Sequence, residues 1–176
     1  MDGLLNTSAL ALRDTPLKLK ATLREYQKQG YVWLQFLVEN NLGGILADDM
    51  GLGKTMQALA LIDAAVHKHK GNFRALIVAP TSVVENWDLE IARFAPHLHS
   101  AVLRKGDRSH IHTQLKKYHV IVSSYALLLR DFEKLNTEVF DVLILDEAQY
   151  AKNYQARTAS HRPNRKNQSA YEYSAF

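Results

Sequence analysis

Short apolar runs alternate with longer segments of helical periodicity along most of this chain. Runs rich in Val, Ile or Leu predict strands, and segments with apolar residues three or four apart predict helices. The predicted strands are 44–47, 74–79, 101–103, 120–123 and 142–146, and the predicted helices are 22–40, 54–67, 83–94, 108–117 and 125–135. Because strands that alternate with helices need right-handed crossovers, the pattern predicts an α/β fold whose parallel sheet is flanked by helices.

The pattern also divides the chain into three parts. Residues 1–21 are a polar lead-in, 22–158 carry the alternating elements, and 159–176 contain no Leu, Ile, Val or Met. A segment without these residues buries little apolar surface, so 159–176 is expected to be a disordered tail. A chain of 176 residues that is 47% hydrophobic has room for one α/β domain.

Charge and cysteine content narrow the picture further. The net charge of +4 belongs to residues 151–176, because residues 1–150 hold 17 basic and 17 acidic side chains. The body therefore gives no compositional sign of a nucleic-acid partner. Cysteine is absent, which excludes a disulfide framework. No apolar run reaches membrane-spanning length, so we expect no membrane partner and a cytoplasmic location.

The first candidate site follows the strand at 44–47, where a glycine-bearing loop ends in Gly53-Lys54-Thr55. Glycines let successive N–H groups face one concavity while a helix begins, which suits the oxygens of a triphosphate. In the P-loop pattern, Lys54 reaches the β- and γ-phosphates and the Thr55 hydroxyl holds Mg²⁺. Asp48 stands where that pattern has its first glycine, and a Gly-rich turn is also common in ordinary α/β proteins.

The second candidate site lies at the end of the strand at 142–146, where two carboxylates follow an apolar run. Open α/β sheets bind ligands at the carboxyl ends of their strands, and unpaired charges avoid burial. We therefore expect Asp146 to hold Mg²⁺ through water and Glu147 to polarise the water that attacks the γ-phosphate. A solvated strand end is the alternative for this pair alone, and the Lys54-Thr55 loop favours the catalytic interpretation.

The order of these motifs resembles the Swi/Snf-type ATPases of helicase superfamily two over residues 17–158. The matching segments are Leu23-Arg24-Glu25-Tyr26-Gln27, Gly30 with Trp33-Leu34, 43–57, 76–84 with Asn86-Trp87, 123–128, and Asp146-Glu147-Ala148-Gln149 with Lys152-Asn153. That family writes its phosphate loop as D-x-M-G-L-G-K-T, which accounts for Asp48. The DEAQ form of the carboxylate motif is similar to that of bacterial members.

The resemblance implies a P-loop NTPase with a RecA-like first lobe that binds ATP and Mg²⁺. Gln27 would recognise adenine, Lys54, Asp146 and Glu147 would be catalytic, and Gln149 would couple the site to double-stranded DNA. Further nucleotide contacts would come from Asp49, Met50, Gly51, Leu52, Gly53, Thr55 and Met56. The phosphate backbone of the DNA would meet Pro80, Thr81, Ser82, Ser124 and Tyr125, although Thr81 and Ser82 are equally suited to capping a helix.

The chain departs from the family after about residue 158, where a T-G-T-P strand end and a second lobe would follow. A fragment is therefore expected to hydrolyse ATP very slowly by itself, because arginines from the second lobe contribute factors on the order of 10³ or more in related NTPases. A second lobe or a protein partner in trans would supply them. Alternatives are a non-catalytic remnant, a nucleotide- or nucleic-acid-binding module, or a lobe of another superfamily-two translocase, and whether this chain is an enzyme stays open.

Two other features have less specific interpretations. Three His-x-His pairs, at 67/69, 97/99 and 110/112, are expected to be exposed histidines rather than a metal site, since no cysteine accompanies them. Trp33 falls on the apolar face of its helix and is expected in the core. For Trp87, packing in the core and stacking on a base are both open.

Overall fold

A computed structural model describes residues 18–46, 53–106 and 109–150, and the backbone of 169–173. The helices are α1 (Glu25–Glu39), α2 (Lys54–Lys68), α3 (Thr81–Phe94), α4 (Ser109–His112), α5 (Tyr125–Arg130) and α6 (Phe132–Asn136), with a 3-10 helix at Leu115–Lys117. The strands are β1 (Gly44–Ile45), β2 (Ala75–Ala79), β3 (Ser100–Val102), β4 (Val120–Ser124), β5 (Val142–Asp146) and β6 (Ser169–Tyr173).

The described strands form one sheet in the order β1-β6-β5-β2-β4-β3, and every neighbouring pair is parallel. Ala75 of β2 is level with Val120 of β4 and with Val142 of β5. Because these strands start together and run the same way, they also end at one edge. The expectation of a parallel α/β sheet is confirmed.

Helices cover both faces of the sheet. Alternate residues of β2 point to opposite sides, so Ala75, Ile77 and Ala79 pack with α1, α2 and α3. Leu76 and Val78 face the opposite cluster, which contains Leu127 of α5 and Leu135 of α6. Strands buried on both faces need the near-continuous apolar runs that the sequence displays.

Two of the predicted helices are interrupted. The segment predicted as one helix at 108–117 contains α4 and the 3-10 helix, and the segment at 125–135 contains α5 and α6. Asp131 ends α5 and precedes α6, and its buried carboxylate lies 3.6 Å from the His112 ring. Apolar periodicity does not reveal such a break, because Asp131 turns inward toward a partner distant in sequence.

The strand β6 differs from the expectation of a disordered tail at 159–176. Ser169–Tyr173 pairs with β5 along five positions and with β1 at Gly44 and Ile45. The segment lacks Leu, Ile, Val and Met, but tyrosines also favour strands, and backbone pairing does not depend on side-chain type. The disorder expectation is therefore wrong for these five residues.

Among the helices in the described ranges, none combines the length and apolar character required to cross a bilayer.

Candidate functional site

The carboxyl ends of β2, β4 and β5 bring the candidate chemistry to one edge of the sheet. Pro80 follows β2, Tyr125 follows β4, and Glu147 follows β5. Gly53 leads into α2, whose first residue, Lys54, acts electrostatically on Asp146 at that edge. The structure therefore brings together the two motifs that the sequence separates by about ninety residues.

The start of α2 is shaped by Gly53. This residue has φ 73° and ψ 43°, a left-handed conformation that costs residues with a Cβ about 1–2 kcal/mol. The helix begins at once with Lys54 and Thr55, both partly exposed. The first N–H groups of a helix and the positive end of its dipole attract anions. Asp49, Met50, Gly51 and Leu52, also expected here, lie outside the described residues.

Lys54 and Asp146 act on each other across the edge. Burial raises the pKa of the Asp146 carboxyl above its ordinary value, and the neighbouring Glu147 carboxylate adds to the rise. The positive charge of Lys54 lowers the pKa of the same group. The Lys54 ammonium and the Asp146 carboxyl group are therefore near enough to influence each other.

Two side chains hold Asp146 in place. The Trp87 indole Nε1–H donates to Asp146 Oδ2 at 2.8 Å, and the Tyr125 hydroxyl donates to the Asp146 carbonyl oxygen at 2.9 Å. Neither contact is predictable from the sequence alone. The apolar spacing of Val84, Trp87 and Ile91 indicates that Trp87 turns inward, but it does not identify the acceptor.

Glu147 adopts an unusual backbone conformation beside Asp146. Its φ of 52° is left-handed, and its carbonyl oxygen accepts from the Tyr150 N–H at 2.9 Å. The Gln149 amide Nε2 donates to the Glu147 carboxylate. Left-handed non-glycine residues are uncommon, and they often occur where a side chain is oriented for function. The left-handed backbone and the hydrogen bond from Gln149 thus both orient the partly exposed Glu147 carboxylate.

A pocket of about 240 Å³ adjoins the start of α2. Its lining residues are Ala21, Thr22, Arg24, Tyr26, Gln27, Gly53, Met56 and Phe94. This volume is below the ~300–1,000 Å³ of pockets that enclose a whole small molecule, so it suits one ring system of a larger ligand. Gln27 and Met56, to which the family resemblance gives nucleotide contact, both line this pocket, and Arg24 and Tyr26 are additions from the structure.

Gln27 is fixed in this pocket. It is buried, and its Oε1 accepts from the Arg24 backbone N–H at 2.9 Å. Its Nε2 faces Gly53 so closely that a Cβ there would lie 2.4 Å away. The side chain therefore bridges the start of α1 and the start of α2.

The residues expected to meet nucleic acid fall into two groups. Thr81 and Ser82 are exposed in the first turn of α3, while Pro80 is buried. Within the described part of the chain, no side-chain hydrogen bond caps this helix, so the capping alternative for Thr81 and Ser82 is not observed.

The side chains of Ser124 and Tyr125 are also buried. Their exposed fractions are 2% and 5%, and both side chains are engaged inside the fold. Ser124 Oγ instead accepts from the Leu127 N–H and caps α5, and Tyr125 bonds to Asp146. Hydroxyl groups at a strand end serve capping and ligand contact equally well, so sequence does not separate the two roles.

The histidine pairs do not form a metal site in the described residues, where no group of three or more His, Cys, Asp or Glu is suitably arranged. The expectation that all six histidines are exposed is nevertheless wrong for His97 and His112. His97 contacts the buried Asp63 at 2.6 Å, and the His112 side chain is 8% exposed. Trp33 packs against the core, as expected.

Comparison with known proteins adds independent information. The family described as SNF2-related domain matches residues 26–167, which extends beyond the expected boundary at 158. Helicase SWR1 of Eremothecium gossypii is 37% identical over 158 residues, covering 86% of this chain and 11% of that protein. Chromatin-remodeling ATPase INO80 of Sclerotinia sclerotiorum is 40% identical over 155 residues, covering 81% and 9%.

Solved structures give the same family. The Sulfolobus solfataricus SWI2/SNF2 ATPase core in complex with dsDNA superposes with a TM-score of 0.76 at 38% identity, covering 93% of this chain and 33% of that one. The ATPase core domain from the same organism superposes with a TM-score of 0.68 at 34% identity. The chain thus spans about a tenth of its curated relatives and a third of the solved core.

Proposed function

Because the chain belongs to the Swi/Snf-type ATPases of helicase superfamily two and corresponds to their first RecA-like lobe, we propose that it binds ATP with Mg²⁺ and acts in a motor on double-stranded DNA. The observation that carries this proposal is the arrangement at the carboxyl edge of the sheet, where Asp146 ends β5 and Lys54, the first residue of α2, acts on it electrostatically. Triphosphate oxygens are bound by a cation at a helix start, and a metal ion is bound by a carboxylate. Lys54 at the start of α2 provides the first of these groups, and Asp146 provides the second.

The donor set at this edge fits magnesium. Mg²⁺ prefers oxygen ligands and retains much of its water, so one hydroxyl and one carboxylate are a suitable protein contribution. We assign the hydroxyl to Thr55 and the carboxylate to Asp146, the two residues that the sequence motifs predict as Mg²⁺ ligands. Mg²⁺-ATP, when bound, supplies the phosphoanhydride bond that is broken.

Each remaining residue has a task in hydrolysis. Lys54 binds the negative charge of the terminal phosphates, and Glu147 orients a water and accepts its proton. The Gln149 amide on the Glu147 carboxylate orients that base. Gln27 and Met56 bind the adenine ring in the 240 Å³ pocket.

DNA contact is proposed for the exposed start of α3. The Thr81 and Ser82 hydroxyls and the first N–H groups of this 14-residue helix suit phosphate oxygens, which position a protein without reading sequence. The solved ATPase core that superposes on this chain is described as a complex with dsDNA, which supports this assignment.

Nucleotide binding is tested by titrating a fluorescent ATP analogue with Mg²⁺ into wild type, Lys54→Ala and Lys68→Ala. Lys68 lies at the far end of α2 in an exposed pair with Glu39, so its removal controls for the loss of one positive charge. We expect Lys54→Ala to abolish measurable binding and Lys68→Ala to bind like wild type. Equal affinities in all three proteins would contradict the proposed site.

DNA contact is tested by the fluorescence anisotropy of a labelled duplex with Thr81→Glu and Ala92→Glu. Both positions are exposed on α3, so neither substitution disturbs the core, and a glutamate at Thr81 also favours the first turn of the helix. Repulsion from phosphate should raise the Kd of Thr81→Glu several-fold and leave Ala92→Glu close to wild type. Identical weakening by both variants would contradict a specific contact at the start of α3.

A further inference from the structure

Helix α3 contacts the Asp146 carboxylate from its middle and exposes its first turn. Trp87 of α3 donates its indole N–H to Asp146 Oδ2 at 2.8 Å. Thr81 and Ser82, in the first turn of the same helix, are exposed. Trp87 lies six positions after Thr81, which corresponds to ~9 Å along the helix axis.

Trp87 has little freedom to move independently of α3. Its exposed fraction is 2%, and it belongs to the same buried cluster as Val84 and Ile91. Side chains in a close-packed core keep one rotamer, so a displacement of the helix is transmitted to the indole. The hydrogen bond to Asp146 then lengthens or shortens with α3.

We propose that Trp87 is a positioning residue that sets the Asp146 carboxylate for metal, and that α3 transmits contact at Thr81-Ser82 to that carboxylate through the indole N–H. The inference rests on the proposed function and adds the route by which DNA regulates the nucleotide site. Tyr125 holds the main chain of Asp146 while Trp87 holds its side chain, so a shift of α3 moves the carboxylate relative to a fixed backbone.

The contact itself is tested by NMR on the ¹⁵N-labelled protein. The chain has two tryptophans, so Trp33→Phe assigns the two indole N–H signals. We expect the Trp87 signal to shift on addition of Mg²⁺-ATP, and to shift again with duplex DNA, while the Trp33 signal stays in place. Asp146→Asn should move the Trp87 signal alone, and an unmoved Trp87 signal in that variant would overturn the proposal.

The role in metal positioning is tested with Trp87→Phe, which keeps an aromatic side chain and lacks the N–H. Nucleotide affinity is measured with Mg²⁺ and with EDTA in wild type, Trp87→Phe and the matched control Trp33→Phe. We expect Trp87→Phe to lose about tenfold of the affinity gained from Mg²⁺, as for a hydrogen bond to a charged group, and to bind metal-free nucleotide like wild type. A merely structural role would weaken both conditions equally.

Coupling is measured as the change that duplex DNA causes in the Kd for Mg²⁺-ATP. We expect a change in wild type and none in Trp87→Phe. If wild type fails to bind nucleotide, the proposed function is wrong. If it binds and Trp87→Phe retains both the Mg²⁺ effect and the DNA effect, only the role of Trp87 is wrong. If Trp87→Phe does not fold, the Asp146→Asn indole signal decides the contact.

Discussion

At the scale of single residues, the site depends on one glycine more than on any charged group for its shape. Gly53 combines a left-handed backbone with a close approach to Gln27 Nε2. A side chain at this position therefore meets two obstacles, one in its own backbone and one in its neighbour. Helix α2 can begin at Lys54 because Gly53 adopts the left-handed backbone conformation before it.

Gly53→Ala should lower stability and nucleotide affinity together. The left-handed backbone costs an alanine about 1–2 kcal/mol, and its Cβ would lie 2.4 Å from Gln27 Nε2, which displaces that side chain from the pocket. Urea denaturation and fluorescent-nucleotide titration measure the two effects.

Gly71→Ala is the matched control for this substitution. Gly71 has a similar φ of 86°, but the nearest atom to a Cβ built there is His119 Nε2 at an ordinary 3.8 Å. We expect a comparable loss of stability with unchanged nucleotide affinity. If both variants bind nucleotide equally well, the Gln27 contact does not matter for binding.

The residues that sequence could identify are those whose chemistry is local. Lys54 and Thr55 follow a recognisable loop, and Asp146 and Glu147 end an apolar strand, so type and position are enough to place them. Trp87 is different, because its bond depends on how α3 packs against β5. The same holds for the side-chain contacts of Ser124 and Tyr125, since their partners, Leu127 and Asp146, are known only from the fold.

At the scale of elements, two histidines lie together at the amino edge of the sheet, where β3 and β4 begin. His119 precedes β4, and its ring stacks on His99 with centroids 5.0 Å apart. The His99 backbone N–H donates to His119 Nδ1 at 3.1 Å, which requires that nitrogen to be unprotonated. Burial lowers the pKa of His119, and the nearby His99 and His97 lower it further.

The fold should therefore lose stability as the pH falls below about 6.5, the ordinary pKa of histidine. The unfolded chain protonates His119 at a higher pH than the folded chain does, so acid favours unfolding. Unfolding midpoints measured between pH 7.5 and 5.5 test this. His119→Asn keeps an acceptor near Nδ1 and does not titrate, so its midpoint should change less with pH than that of wild type.

The matched control for His119→Asn is His110→Asn, which changes an exposed histidine. It should retain the pH dependence of wild type. Parallel curves for wild type and His119→Asn would contradict a contribution from this ring.

At the scale of the whole molecule, the sheet is more continuous than the sequence indicates. Five of its six described strands follow directly from apolar runs, with the ends of β5 predicted to the residue. β6 was not predicted, because it lacks the aliphatic residues by which the other strands are recognised. Its position between β1 and β5 depends on backbone pairing over a long separation in sequence, which no local pattern reports.

Tyr171→Pro should destabilise the protein much more than Tyr171→Ala. Tyr171 is level with Gly44 on one side and Ile144 on the other, so β6 is an interior strand at this point. Proline removes a backbone donor and is found almost only on edge strands, whereas alanine keeps the donor. Thermal unfolding of the two variants compares loss of the N–H with loss of the side chain alone.

Hydrogen exchange locates the effect of Tyr171→Pro within the sheet. If β6 links β1 to β5, proline should raise amide exchange in Ile45 and in Leu143–Leu145, on both sides of the altered strand, and leave β3 protected at the opposite edge. Because Asp146 ends β5, the same variant should weaken Mg²⁺-nucleotide binding through a less rigid strand end. Wild-type exchange rates in Ile45 and β5 would show that these strands do not depend on β6.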